Sequence, residues 1–158
     1  WRTGHSLIKA KMKEVDAVLA GEMSGHMFFK DRYFGFDDGL YAACRLLEIL
    51  ANSGKTIPEL LEGVPVTCTT PEIRVPCPDP IKFEVVEQAK RRFREMNLEI
   101  IEVDGARIVF QDGWGLVRAS NTQPVLVLRY EAGTPERLNE IRALVEGVIE
   151  AAREAISP

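Results

Sequence analysis

Between Val64 and Pro80 the chain reads VPVTCTTPEIRVPCPDP, with five prolines at positions 65, 71, 76, 78 and 80. Proline donates no backbone hydrogen bond and fixes φ near about −65°, so this stretch excludes both a helix interior and a central strand. An extended linker or an edge strand remains, and either one divides the chain in two. Each part must then bury its own core, and 158 residues suffice for one or two small domains.

Residues 1–63 predict the order α-β-β-α-α. SLIKAKMKE carries a helical period, DAVLAG is a short apolar strand ending at Gly21, and MFFK returns as a second strand. FDDGLYAACRLLEILANSG predicts a helix capped by Asp37 or Asp38, with Leu40, Cys44, Leu47 and Leu50 as its apolar stripe and Ser53–Gly54 as its stop. TIPELLEG predicts a short helix with a capping box from Thr56 to Glu59. Two short strands do not make a stable sheet unaided, so this unit is expected to be incomplete. Its partners are expected upstream of Trp1, and a start without methionine points to a piece of a longer protein.

Residues 64–158 read differently. DPIKFEVVEQAKRRFREM predicts a helix with Asp79 as N-cap and Pro80 at its first position. LEIIEVDGARIVFQDGWGLVRAS predicts three strands joined by an Asp-Gly hairpin turn and a second turn. PVLVLRYEA is apolar on both faces and therefore central. TPERLNEIRALVEGVIEAAREAI closes the chain as a helix, capped by Thr134 and packed through Leu138, Ile141, Val145, Val148 and Ala152. The order β-α-β-β-β-β-α implies two helices on one face of a mostly antiparallel four-stranded sheet, an α+β unit after an α/β one.

A net charge of −4 argues against nucleic acid as a partner, and the basic run KRRFRE alternates with acids as a solvated helix face does. No apolar run reaches the roughly twenty residues of a membrane span, and the first residues lack a signal peptide's apolar core. Cys44, Cys68 and Cys77 show no CxxC spacing. Buried thiols in a reducing, cytoplasmic setting are expected, with neither nucleic acid nor membrane as partner. The two histidines lie far from the cysteines in sequence, so no metal site is expected.

Two loops carry candidate chemistry. GEMSGH, residues 21–26, lacks the G-x-S-x-G spacing of a nucleophile elbow and the Gly-Lys-Ser/Thr of a phosphate loop. It is either a tight turn that presents Glu22, Ser24 and His26 to a ligand or a hairpin with incidental polar residues. A carboxylate accepts two neighbouring hydroxyls, and a histidine exchanges a proton near neutral pH. RASNTQP, residues 118–124, offers Arg118, Ser120, Asn121 and Thr122 with free backbone N–H groups, a set suited to a phosphate monoester. The other reading is a polar hairpin loop.

WRTGHSLIK, GEMSGHMFFKDRYFGFDDGLYAACRLLEIL and RASNTQPVLVLRYEA occur in this order over nearly the whole chain. Together they resemble the C-terminal part of the α-D-phosphohexomutase superfamily, in its bacterial phosphomannomutase/phosphoglucomutase branch. Phosphoglucosamine mutases usually read GEQSGH and Arg-Pro-Ser-Gly-Thr-Glu-Pro at the two loops, and this chain departs from both. The resemblance implies that residues 1–63 are the second half of an α/β domain 3. It implies that residues 64–158 are the TATA-box-binding-protein-like domain 4.

The resemblance also implies a parent enzyme that interconverts hexose 1-phosphate and 6-phosphate, of mannose or glucose, through a 1,6-bisphosphate and an enzyme phosphoserine, aided by Mg²⁺. Carried over by position, Glu22 and Ser24 would hold the 3- and 4-hydroxyls. His26 and His5 would be the catalytic residues and would also contact the sugar, His26 by the reacting end as the proton-shuttling partner and His5 facing the same cleft. Arg118, Ser120, Asn121 and Thr122 would clamp phosphate. The family's Thr-Ala-Ser-His-Asn-Pro and Asp-Gly-Asp-Gly-Asp motifs do not occur here. The implied partners are therefore hexose phosphates and the parent's other domains, with binding but no turnover by this chain alone. The alternative is a non-catalytic module for sugar phosphates or a protein.

Overall fold

The computed structural model of the chain describes residues 1–156. Two compact units divide it, Trp1–Val64 and Pro65–Pro158.

The first unit runs α1 (His5–Glu14), β1 (Leu19–Gly21), β2 (Met27–Phe29), α2 (Gly39–Ser53) and α3 (Ile57–Leu60). β1 and β2 form an antiparallel hairpin registered from Leu19 opposite Phe29 to Gly21 opposite Met27. A small core joins α1 to this hairpin: Ile8, Met12 and Phe28 are buried, with Ala17 and Ala20 beside them. Asp38 caps α2 by accepting from the Tyr41 N–H at 2.9 Å, and Gly54 ends the helix in the left-handed region. At α3, the Glu59 carboxylate accepts from both the N–H and the hydroxyl of Thr56 at 2.7 Å.

The apolar stripe of α2 meets no core. No residue of α2 is buried, and Leu40 and Leu47 are 81% and 63% exposed. Cys44, on the same stripe, is exposed and corrects the expectation of three buried thiols; Cys68 is half-buried and Cys77 buried. A sequence pattern marks the face that wants a partner, but burial requires that partner to be present.

The second unit is a wholly antiparallel sheet of six strands under two helices. β3 (Cys68–Thr69) and β4 (Ile73–Pro76) pair with β8 (Val125–Ala132), which continues through β7 (Gly113–Ala119) and β6 (Ala106–Phe110) to β5 (Glu99–Ile101). The proline-rich stretch is thus an edge strand in two pieces, which adds a position to the expected four-stranded sheet. Thr70 carries the ladder across the break: its N–H donates to the Tyr130 carbonyl at 3.0 Å, and its hydroxyl oxygen accepts from the Tyr130 N–H at 3.1 Å.

α4 (Asp79–Glu95) begins one residue earlier than expected, with Pro78 rather than Asp79 at the N-cap. The Asp79 carboxylate instead accepts from Lys82 Nζ at 2.6 Å. α5 (Pro135–Glu154) is capped by Thr134, whose oxygen accepts from the Arg137 N–H at 3.2 Å. Val85, Ala89 and Phe93 of α4 and Ile141, Val145, Ile149 and Ala152 of α5 pack on Ile108, Val117, Leu126, Leu128 and Tyr130, with Leu138 and Val148 at the margin. The basic run is not solvated throughout: Lys90 is buried and paired with Glu87 at 2.6 Å, whereas Arg91 and Arg94 are exposed.

Candidate functional site

The loop between β1 and β2 closes on itself. The Glu22 N–H donates to the His26 carbonyl and the Gly25 N–H to the Glu22 carbonyl, both at 2.9 Å. Gly25 has φ +89°, a conformation glycine adopts without a Cβ penalty. This short turn leaves Ser24 exposed at the tip and turns Glu22 and His26 inward to the start of α1.

There the Gly4 N–H donates to Glu22 Oε1 at 2.8 Å, and Oε2 lies 4.0 Å from His5 Nε2. The Glu22 side chain is only 8% exposed, so its carboxylate depends on these partners, whereas His5 remains half exposed. The His5 and His26 rings meet edge-on with centroids 4.6 Å apart, and His5 also stands edge-on to the buried Phe28. His26 Nδ1 lies 2.7 Å from Asp37 Oδ2, and the other Asp37 oxygen accepts from the Met27 N–H at 3.1 Å. The fold therefore brings His5, Glu22, His26 and Asp37 into one cluster, with Ser24 just outside it.

The second loop joins β7 to β8. Gly115, Val117 and Ala119 face the helices, so Arg118 alternates onto the opposite face of the sheet. The turn before β6 backs directly onto it. Gly105 has φ +76°, and a Cβ there would lie 2.2 Å from the Val117 carbonyl oxygen and 2.6 Å from Arg118 Cβ. Beyond the strand, Ser120 is buried and its Oγ accepts from the N–H groups of Thr122 at 3.3 Å and Gln123 at 3.2 Å. Two backbone donors expected to be free are thus consumed inside the loop, because a serine hydroxyl competes for nearby amides. Ser120 keeps its hydroxyl proton to donate, and Asn121 and Thr122 are exposed.

The second loop is braced from below. Lys82 Nζ donates to the Gln123 carbonyl at 3.0 Å, Arg74 Nη1 to Gln123 Oε1 at 2.9 Å, and the Cys77 N–H to the Pro124 carbonyl at 2.8 Å.

Comparison with known proteins decides the ancestry of both loops. The family model described as "Phosphoglucomutase/phosphomannomutase, alpha/beta/alpha domain III" matches residues 1–67, and that for the "Phosphoglucomutase/phosphomannomutase, C-terminal domain" matches residues 72–148. The chain belongs to the phosphoglucomutase/phosphomannomutase family.

It is 50% identical over 151 residues to the phosphomannomutase/phosphoglucomutase of Pseudomonas aeruginosa, covering 96% of this chain and 33% of that protein. It is 49% identical over 160 residues to a phosphoglucomutase of Neisseria gonorrhoeae, covering 99% and 34%. A solved phosphoglucomutase/phosphomannomutase family protein from Burkholderia thailandensis superposes with a TM-score of 0.83 at 44% identity, over 97% of this chain and 32% of that one. The chain spans about a third of the length of the curated relatives it matches.

In this member of the phosphoglucomutase/phosphomannomutase family, several residues that support the two loops lie outside the loops themselves. Asp37 was only one of two candidate helix caps; the structure uses Asp38 for the cap and Asp37 for His26. The Asp-Asp doublet was the available signal, since one cap needs one carboxylate. Burial alone pushes the Asp37 carboxyl up. The hydrogen bonds from His26 and from the Met27 N–H, with the nearby His26 and His5, outweigh it and hold the group below the usual carboxylate range. Lys82, which braces the second loop, and Gly105, which packs closely behind Val117 and Arg118, carry no local signal, because their partners are distant in sequence. Nor did sequence separation forecast that the two histidines would meet around Glu22. Among the described residues, His5, Glu22 and His26 are grouped closely enough for one ion to reach all three. No helix among the described residues is long and apolar enough to cross a membrane.

Proposed function

We propose that the chain is the C-terminal part of a phosphomannomutase/phosphoglucomutase, which moves a phosphoryl group between the 1- and 6-positions of mannose or glucose phosphates. In this reading the first loop binds the sugar and the second binds a phosphate. The observation that carries it is the Glu22 carboxylate: buried, aimed by the Gly4 N–H, and flanked by two histidines, one braced by Asp37.

Each carboxylate oxygen has more than one acceptor site, so Glu22 can take the hydroxyls of neighbouring sugar carbons while keeping its bond to Gly4. A carboxylate reading the 3- and 4-hydroxyls leaves the 2-position unread, which admits both glucose and mannose epimers. Ser24 adds a hydroxyl at the loop tip. His26, with Nδ1 against Asp37, presents Nε2 to hold or take the proton of the sugar hydroxyl that receives phosphate. Asp37, 2.7 Å from Nδ1, fixes the ring's orientation. His5 supplies a second polar contact beside it. Arg118 offers a guanidinium fork to a phosphate, and Ser120, Asn121 and Thr122 offer hydrogen bonds. Phosphoryl transfer asks mainly for position and charge stabilisation, which such groups provide.

The parent's Mg²⁺ would assist phosphoryl transfer. It favours six oxygen ligands, and the group of two imidazoles and one carboxylate found here does not fit it. Mg²⁺ and the phosphoserine are assigned to the remainder of the parent. The exposed stripe of α2 supports the same assignment, as a face covered by that remainder.

Steady-state kinetics on the full-length parent test this reading. Glu22→Gln should lower kcat/KM by about 10- to 100-fold, the equivalent of roughly 1.5–3 kcal/mol for a hydrogen bond to a charged group. Its affinity for inorganic phosphate should not change. Arg118→Ala should weaken phosphosugar binding by a similar factor without a matching loss of fold. Normal turnover in both variants would contradict the assignment.

A further inference from the structure

We propose that His5, Glu22 and His26 form a three-ligand site for a divalent transition-metal ion, with Zn²⁺ as the best-matched occupant. Two imidazole nitrogens and one carboxylate oxygen are a donor set that suits this class of ion and discriminates against Mg²⁺. Their ligand atoms lie within 4.8 Å of one another, and His5 Nε2 is 4.0 Å from Glu22 Oε2. Ligands on a tetrahedral zinc stand about 3.3 Å apart, so closure asks for side-chain rotation of roughly 1 Å.

The decisive feature is the shell behind these ligands. His26 Nδ1 is held by the Asp37 carboxylate at 2.7 Å, which leaves Nε2 as the metal-facing nitrogen in a carboxylate–histidine–metal arrangement. The Gly4 N–H holds Glu22 Oε1 at 2.8 Å and frees Oε2, the oxygen facing His5. Two of the three ligands are thus already oriented; the third, His5, has its Nε2 3.6 Å from Asp37 Oδ2 and turns from it toward Glu22 to close the set. The histidine side chains are 51% and 44% exposed, so an ion has a route in and keeps an open position for water.

The ion and a sugar would compete for Glu22, which makes transition metals competitive inhibitors of the sugar loop. This competition rests on the sugar-binding reading above; the metal site does not.

The test is titration of the 158-residue chain, carrying Cys44→Ser to remove the exposed thiol, with Zn²⁺ followed by calorimetry and Co²⁺ followed by visible absorption. One equivalent should bind, with four-coordinate Co²⁺ absorption and no thiolate charge-transfer band. His5→Ala and Glu22→Gln should each weaken binding by at least about tenfold, and Asp37→Asn by about 10- to 100-fold. Because the chain has two histidines, nitrogen NMR of the unsubstituted rings reports ligation independently of any variant's folding. It should show Zn²⁺ on Nε2 of His26 with the Nδ1 proton retained.

Absence of stoichiometric uptake, or histidine resonances unmoved by Zn²⁺, overturns the proposal, as does equal uptake by the His5 and Glu22 variants. Added glucose 6-phosphate separates the two readings. Displacement of Zn²⁺ supports both, while Zn²⁺ bound and undisturbed by the sugar upholds the metal site alone. No Zn²⁺ uptake beside sugar binding that needs Glu22 sinks the metal site alone.

Discussion

The Asp37 carboxylate reaches both the His26 ring and the Met27 backbone, so it ties the end of the hairpin loop to the approach to α2. The depressed Asp37 carboxyl gives a pH signature. A carboxylate held below its ordinary value contributes stability that is fully present above that value and is lost as pH falls through the lowered one. The first unit should therefore lose stability on the acid side of about pH 3.8, and Asp37→Asn should flatten that loss. Urea midpoints across this range, read from first-unit resonances, give the comparison; parallel curves would contradict the pairing. Gly105 makes a different demand, for space and for backbone freedom together. Gly105→Ala would force a methyl to 2.2 Å from the Val117 carbonyl at a positive φ. It should cost about 2–4 kcal/mol in chemical denaturation and loosen Arg118 as well.

Helix α5 and helix α2 have similar apolar periodicity and opposite fates. Ile141 and Val145 are sealed against the sheet, while Leu40 and Leu47 of α2 stand in solvent. Ile141→Ala should then cost about 2–5 kcal/mol, whereas Leu47→Asp should change the stability of this chain by less than about 0.5 kcal/mol. Thermal unfolding of the two variants side by side decides it, and a large loss from Leu47→Asp would reveal a core beneath α2. What was legible in the sequence follows from the range of the forces involved. Caps at Asp38, Thr56 and Thr134 and the apolar run of β8 act over a few residues and announce themselves. The double duty of the proline stretch depends on the Thr70 hydroxyl finding Tyr130, sixty positions away, and no local pattern encodes that. The same holds for the site. Glu22, His26 and Arg118 were picked out by loop composition, but Asp37, Lys82 and the meeting of His5 with Glu22 arise only when separate elements pack.

At the scale of the molecule, the two units differ in how much of their own core they hold. The second has a continuous apolar interior spanning both helices and the sheet, and the first closes around Ile8, Met12 and Phe28. Each carries one polar loop, and under the proposed function the first recognises sugar hydroxyls and the second phosphate. Backbone and side-chain NMR of the 158-residue chain during titration puts that division to the most direct trial. Inorganic phosphate should shift resonances of Arg118–Thr122 and leave Glu22 and His26 still, while glucose 6-phosphate should shift Glu22 and His26 as well. Identical responses to the two ligands, or shifts that avoid both loops, would contradict it.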